Sequence, residues 1–197
     1  MADVAIFPSI LGVRRGVVRA GEILRFRGHQ VTIVDLYDGW IFDDYREAFD
    51  FAESRGRERL MEKAVREVRH LPDGFIAAGF SMGAGVAQHI AGRRDVSSVL
   101  MFSGAASLEA AGLGAWPEGV GGQIHYMDSD PYRNPGAVEE VAAAIDAAGA
   151  VVDVYAYEGD GHLFTDSSLP DEYDARAAEI FWRRVLDHCA GYRLSAA

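Results

Sequence analysis

Cysteine is almost absent: the chain of 197 residues has one, Cys189, so it can form neither an internal disulfide nor a thiolate cage for a metal. Cys189 lies on a C-terminal helical pattern, where a core or surface thiol is expected rather than a nucleophile. Basic residues are also in short supply, with 19 Lys and Arg against 30 Asp and Glu and a formal net charge of −11. Such a surface repels phosphate backbones, which argues against a nucleic-acid partner. No apolar run approaches the roughly 18 residues of a membrane span, and no basic segment precedes the first apolar run. A cytoplasmic protein without membrane association is expected. Metal-ligand spacings such as His-x-x-x-His and His-Glu-x-x-His are missing, and Asp43-Asp44 has no companion at calcium-loop spacing. No Gly-x-Gly-x-x-Gly follows the first strand, so neither a metal nor a dinucleotide cofactor is expected. Repeats, linkers and low-complexity tracts are lacking too, and residues 1–197 read as one domain.

What the chain does have is alternation. Six short, continuously apolar runs are expected as strands: Val4–Phe7, Val31–Asp35, Gly74–Gly79, Ser98–Phe102, Gln123–Tyr126 and Val151–Tyr155. Helical spacing fills Val13–Phe26, Arg57–Arg69, Met82–Ala91, Ala137–Ala148 and Asp171–Ala190. The pattern predicts an α/β fold with a mostly parallel, doubly wound sheet between two helical layers. The stretch Tyr37–Gly56 breaks the rhythm and reads as an irregular insertion. Its aromatic residues, among them Trp40, Phe42 and Tyr45, are expected either to roof a pocket or to pack against the sheet edge.

The segment Gly79-Phe-Ser81-Met-Gly83 falls between an apolar strand and a helical pattern. A Gly-x-Ser-x-Gly match alone is weak, but this context is the one its mechanism requires. A serine on a sharp strand-to-helix turn needs neighbours without side chains, and the turn lifts its hydroxyl above the sheet. The amide of Met82 then lies at a helix N-terminus, where unpaired N–H groups favour an anion. A second amide is expected from the loop after the first strand, Ser9-Ile10-Leu11-Gly12, with Ile10 the first candidate and Leu11 the next. Ser9 and Leu11 are also expected near the pocket.

A serine hydroxyl needs a neutral imidazole to take its proton and a carboxylate to orient that imidazole. Of six histidines, His162 alone stands in a glycine-bearing loop after the last expected strand. His125 lies within a strand and reads as a core residue, and His29, His70, His89 and His188 fall in or beside helical patterns. For the acid, Asp130 follows the fifth strand in Asp128-Ser-Asp130-Pro131, with Asp128 as the alternative. Asp160 and Asp166, close to His162, read as turn formers.

Taken together, the Ser9–Gly12 loop, Val34-Asp35-Leu36-Tyr37, the Ser81 turn, the Asp128–Pro131 loop and Gly159-Asp-Gly-His162-Leu-Phe164 resemble the dienelactone hydrolase family of α/β-hydrolases. Ser81 stands where the archetypal members carry cysteine, and Ser9 where they carry glutamate. The resemblance implies an α/β-hydrolase sandwich without a large lid domain. It also implies a small-molecule ester, lactone or thioester as substrate. Rival expectations are acyl transfer by the same residues and a scaffold that binds a ligand or partner without catalysis. Monomer and homodimer are both left open.

Overall fold

Each apolar run becomes a strand, and the chain after it returns as a helix. The computed structural model describes residues 1–191. In chain order the elements are β1 (Asp3–Phe7), α1 (Arg15–Phe26), β2 (Gln30–Ile33), α2 (Tyr45–Arg55), α3 (Arg57–Glu67), β3 (Phe75–Phe80) and α4 (Met82–Ala91). They continue with β4 (Val96–Phe102), α5 (Leu108–Ala111), β5 (Gly121–Met127), α6 (Pro135–Ala147), β6 (Val152–Tyr157) and α7 (Ala175–Gly191). The six strands form one sheet in the order β2-β1-β3-β4-β5-β6, with every neighbouring pair parallel.

Why the strands read as continuous apolar runs is clear from β3, all of whose residues are buried. Successive side chains point to opposite faces, and both faces are covered. Ala5, Phe7, Ala77, Val99 and Met101 pack beneath α3, α4 and α6 through Leu60, Ala64, Val86, Ile90, Val141 and Ile145. Val4, Ile6, Ile76, Ala78, Leu100 and Phe102 face the other way, onto α1 and α7 through Val17, Leu24, Phe181, Val185 and Cys189. The result is the expected three-layer sandwich. Cys189 is fully buried, and burial pushes its thiol up to about 12, so it is an inert core group.

Two expectations need correction. The stretch Tyr37–Gly56 is not irregular throughout, because it contains α2. The Asp44 carboxylate caps this helix by accepting from Glu47 N–H at 2.9 Å, and Gly56, at φ 79°, separates it from α3. The second strand stops at Ile33 rather than Asp35. The Asp35 carboxylate accepts from the N–H groups of Tyr37 (2.8 Å) and Gly39 (2.6 Å), which turns the chain away from the sheet. Other limits move by a few residues, as at α7, where the Asp174 carboxylate accepts from Ala177 N–H and sets the start.

His125 is a core residue, as its position within a strand implies. It is 0% exposed, with Nδ1 at 2.8 Å from the Tyr157 hydroxyl and Nε2 at 3.0 Å from Gln123 Oε1. Both contacts are satisfied by a neutral ring, with Nε2–H donating to the amide and Nδ1 accepting from the phenol. Burial, reinforced by the Arg184 charge and His188, holds its pKa well below the ordinary 6.5. The unfolded chain therefore binds a proton below that pH that the folded chain refuses. Stability should fall on acidification by up to about 1.4 kcal/mol per pH unit from this residue. Urea midpoints measured at pH 7 and pH 5 should show the fall, and His125→Gln should lessen it, leaving the smaller share of His89 and His188, which burial also holds below the ordinary value. An unchanged pH slope in that variant would show that another group carries the effect.

Candidate active site

Ser81 sits between the last residue of β3 and the first of α4, with φ 52° and ψ −113°. That conformation costs a non-glycine residue about 1–3 kcal/mol and persists only where its surroundings enforce it. Three contacts do so. Ser81 N–H donates to Phe102 O at 2.7 Å, fastening the turn to β4. A Cβ on Gly79 would overlap the Gly83 carbonyl, and a Cβ on Gly83 would overlap the carbonyls of Phe7 and Pro8 at the end of β1. The two glycines are thus required for the first turn of α4 to seat against β3 and the end of β1, at the gap between those strands. There the strand order reverses, since β1 leads outward to β2 and β3 leads the other way to β4. Crevices at such switch points are where open parallel sheets hold ligands.

The loop after β6 brings His162 to this point, with Nε2 at 2.6 Å from Ser81 Oγ. Its Nδ1 is 2.7 Å from Asp130 Oδ2, on the loop after β5. The second oxygen of Asp130 accepts from Tyr132 N–H at 2.8 Å, which fixes the carboxylate plane. His162 is 5% exposed and Asp130 7%. Asp128 lies outside this chain, exposed, and accepts instead from the Ser129 hydroxyl (3.1 Å) and Gly159 N–H (3.3 Å). Asp160 is exposed. Asp166 is buried, not on the surface; it accepts from Ser168 N–H (2.9 Å) and hydroxyl (2.7 Å) and faces Arg14 Nε at 3.8 Å.

Met82 opens α4, whose first-turn N–H groups have no acceptor within the helix. Across from it lies the β1–α1 loop. The amide of Leu11 donates to Ser9 Oγ at 3.2 Å and that of Gly12 to Ser9 O at 3.0 Å, which fixes the loop around Ile10.

Two cavities meet over Ser81. One, of about 590 Å³, is lined by His162, Tyr45, Arg46, Tyr132, Asn134 and Ser103–Ala106. The other, of about 740 Å³, runs between α2, α3, α4 and α5 along Ala52, Leu60, Met61, Gly85, Val86 and Ala110. Ile10, Phe49, Ser81, Met82 and Ala106 border both. Of the residues expected around a pocket, Tyr45 lines the first cavity, with its ring centroid 6.1 Å from that of His162. Its hydroxyl donates to Glu172 at 2.9 Å, and Glu172 also accepts from Leu163 N–H at 2.6 Å. Burial, and secondarily the Glu172 charge, raise the Tyr45 pKa and keep the phenol a donor.

Ser9, Leu11, Trp40 and Phe42 border neither cavity, contrary to expectation. The Ser9 side chain is turned back to its own loop, Leu11 is fully buried, Phe42 packs on Tyr37 and Phe51, and Trp40 points outward at 58% exposure. Phe49, another aromatic residue of the Tyr37–Gly56 stretch, does border both cavities, whereas sequence reasoning missed Ala52, although the two follow Tyr45 at i+4 and i+7, one face of a helix. It also missed Ser103 and Gly104, at φ 62° and 98°, which lie at the same end of the sheet as Ser81. For Tyr132 and Asn134 the sequence carries no periodic signal.

Among the described residues, no cluster of three or more His, Cys, Asp or Glu side chains is placed to hold a metal ion. Nor is any helix long and apolar enough to cross a membrane.

The model of the dienelactone hydrolase family matches residues 2–192. No curated protein matches the chain. Among solved structures, it is similar to a dienelactone hydrolase-like promiscuous phosphotriesterase, P91, from metagenomic libraries. Identity is 18% and TM-score 0.78, over 97% of this chain and 86% of that one. A protein named m3DLH gives 19% identity and a TM-score of 0.74, over 95% and 86% of the two chains. A hormone-sensitive lipase from a metagenome library gives 14% and 0.71, over 98% and 77%. At these identities the structural likeness speaks to the fold, and the family match over nearly the whole length speaks to descent: the chain belongs to the dienelactone hydrolase family and is a hydrolase of the α/β-hydrolase superfamily.

Proposed function

We propose that the protein hydrolyses a small carboxylic ester, lactone or thioester through an acyl-serine intermediate. The observation that carries this reading is the hydrogen-bonded chain from Ser81 through His162 to Asp130, at 2.6 and 2.7 Å, on a strained turn at the switch point of the sheet. Asp130 accepts from Nδ1–H of His162, which leaves Nε2 as the acceptor of the Ser81 proton. As Oγ bonds to the substrate carbonyl carbon, its proton passes to Nε2 and the carbonyl electrons move to oxygen. The amides of Met82 and Ile10 receive that oxyanion; Leu11 is excluded from the role because its N–H is already given to Ser9. When the tetrahedral centre collapses, the bond to the leaving oxygen or sulfur breaks and Nε2–H protonates it. Water then repeats the sequence on the acyl-enzyme. Nucleophile, base and oxyanion donors all come from one domain of this chain, so the reaction calls on no cofactor.

The same geometry bears on the rival reading of a non-catalytic scaffold. A scaffold has no use for a strained Ser81 held in hydrogen-bond contact with a buried, carboxylate-oriented imidazole. Strain alone also occurs at ligand clamps; it is the hydrogen-bonded chain to His162 and Asp130 that favours catalysis over binding.

A fluorophosphonate probe should label the folded protein once, at Ser81, with labelling lost in Ser81→Ala and strongly slowed in His162→Ala, as read by peptide mass spectrometry. Absence of any adduct on the folded protein would favour the scaffold. Turnover of 4-nitrophenyl acetate should fall by at least about 10³ in Ser81→Ala. A second comparison separates the two candidate acids: Asp130→Asn should lower kcat by about 10⁴ through the wrong imidazole tautomer. Asp128→Asn, on an exposed turn, should change it by no more than about twofold.

A further inference from the structure

The two cavities are not equivalent with respect to the reacting atoms, and the difference assigns the two halves of the substrate. The tetrahedral carbon bonded to Ser81 Oγ carries three other groups: the oxyanion, the acyl substituent and the leaving oxygen. Only the leaving oxygen must reach Nε2 of His162, because that nitrogen protonates it as the C–O bond breaks. His162 borders the cavity that also holds Tyr45, Tyr132 and Asn134, and it does not border the other. The oxyanion points at the Met82 and Ile10 amides, which lie where the cavities meet. The direction left for the acyl substituent is the chamber between α2, α3, α4 and α5.

The lining of that chamber says what it accepts. Apart from Glu53, Arg57 and the residues it shares with the other cavity, its walls are Leu60, Met61, Val86, Ala52 and Ala110 with Gly85, and its volume is about 740 Å³. Ala52 and Leu60 come from helices on either side of Gly56, and Gly85 opens the floor where any Cβ would press on Ala106. Such a space rewards an extended apolar chain and offers little to a short or charged one. The leaving-group side is walled by aromatic rings, Tyr45 and Tyr132 at 5.0 Å and Tyr132 and His162 at 5.1 Å, with the Asn134 amide among them. A flat or polar alcohol suits it.

Resting on the hydrolase reading above, we infer that the preferred substrates are esters of medium-length, apolar acyl groups, with the acyl chain in the α2–α5 chamber and the alcohol beside His162.

The test is a series of 4-nitrophenyl esters, acetate, butyrate, hexanoate and octanoate, on the unmodified protein, with Ala110→Phe and Ala52→Phe as two independent ways to fill the chamber. Each added methylene should raise kcat/KM by about fourfold while it still finds apolar wall. The octanoate-to-acetate ratio should fall at least tenfold in either variant. A series of acetates with lengthening alcohols should show a shallower rise. A flat or falling acyl series, or variants that leave the octanoate-to-acetate ratio unaltered, would overturn the assignment while leaving ester hydrolysis intact. Failure to turn over any ester, together with no fluorophosphonate adduct at Ser81, would instead overturn the hydrolase reading and the assignment with it.

Discussion

The structure turns on a backbone contact with no room for a side chain. Gly83, in the first turn of α4, lies against the carbonyls that end β1, and Gly79 lies against the carbonyl of Gly83. This double approach forces the intervening Ser81 into a positive φ, held by its hydrogen bond to Phe102 O. Everything else at the site is placed relative to that turn. The hydroxyl emerges above the sheet because the backbone is reversed there, and the N-terminus of α4 points at the same space because the helix must begin at once. A larger residue at either glycine would lift α4 from β1 and separate the hydroxyl from the loop that faces it.

The remaining groups come from three other loops, and these are tied to one another rather than merely adjacent. Arg14, whose side chain is 10% exposed, donates to Phe42 O at 2.6 Å and lies 3.8 Å from Asp166. It therefore joins the loop after β1, the approach to α2 and the loop that carries His162. Glu172 makes a second tie, receiving Leu163 N–H from the His162 loop and the Tyr45 hydroxyl from α2. Loops that carry chemistry are ordinarily the least constrained part of a fold. Here the cross-links give the imidazole a fixed position without any strand or helix to hold it.

The sheet and most of the helices could be read from the sequence because burial on both faces makes each strand apolar throughout, and that signal is local. The Ser81 turn was legible for the same reason, since its glycines answer a local steric demand. His162 and Asp130 were legible by their position after strands, with Asp128 left open. Two residues apart on one loop, the aspartates differ only in which one the proline-bearing turn directs inward. The pocket walls were another matter. Ser9 and Leu11 sit in the right loop, but one hydrogen-bonds its own backbone and the other fills the core. Trp40 and Phe42 belong to the right segment, yet the walls come from Tyr45, Phe49 and Ala52, once α2 is recognised behind its Asp44 cap. Tyr132 and Asn134 reach the site through tertiary folding alone, which no spacing announces.

This division has a physical consequence for how the proposed hydrolase would discriminate among substrates. Ser81 is fixed by the turn between β3 and α4, and His162 and Asp130 by contacts within and between the loops after β6 and β5. α2 is the element that borders both cavities along its length, with Tyr45 facing one chamber, Phe49 both, and Ala52 the other. Ala48 is the one buried residue of this helix, so Phe49 and Ala52 can change size at little cost to the core, whereas Tyr45 is tied through Glu172 to the His162 loop. In the proposed hydrolase, α2 would thus shape the space around the substrate while carrying none of Ser81, His162 and Asp130.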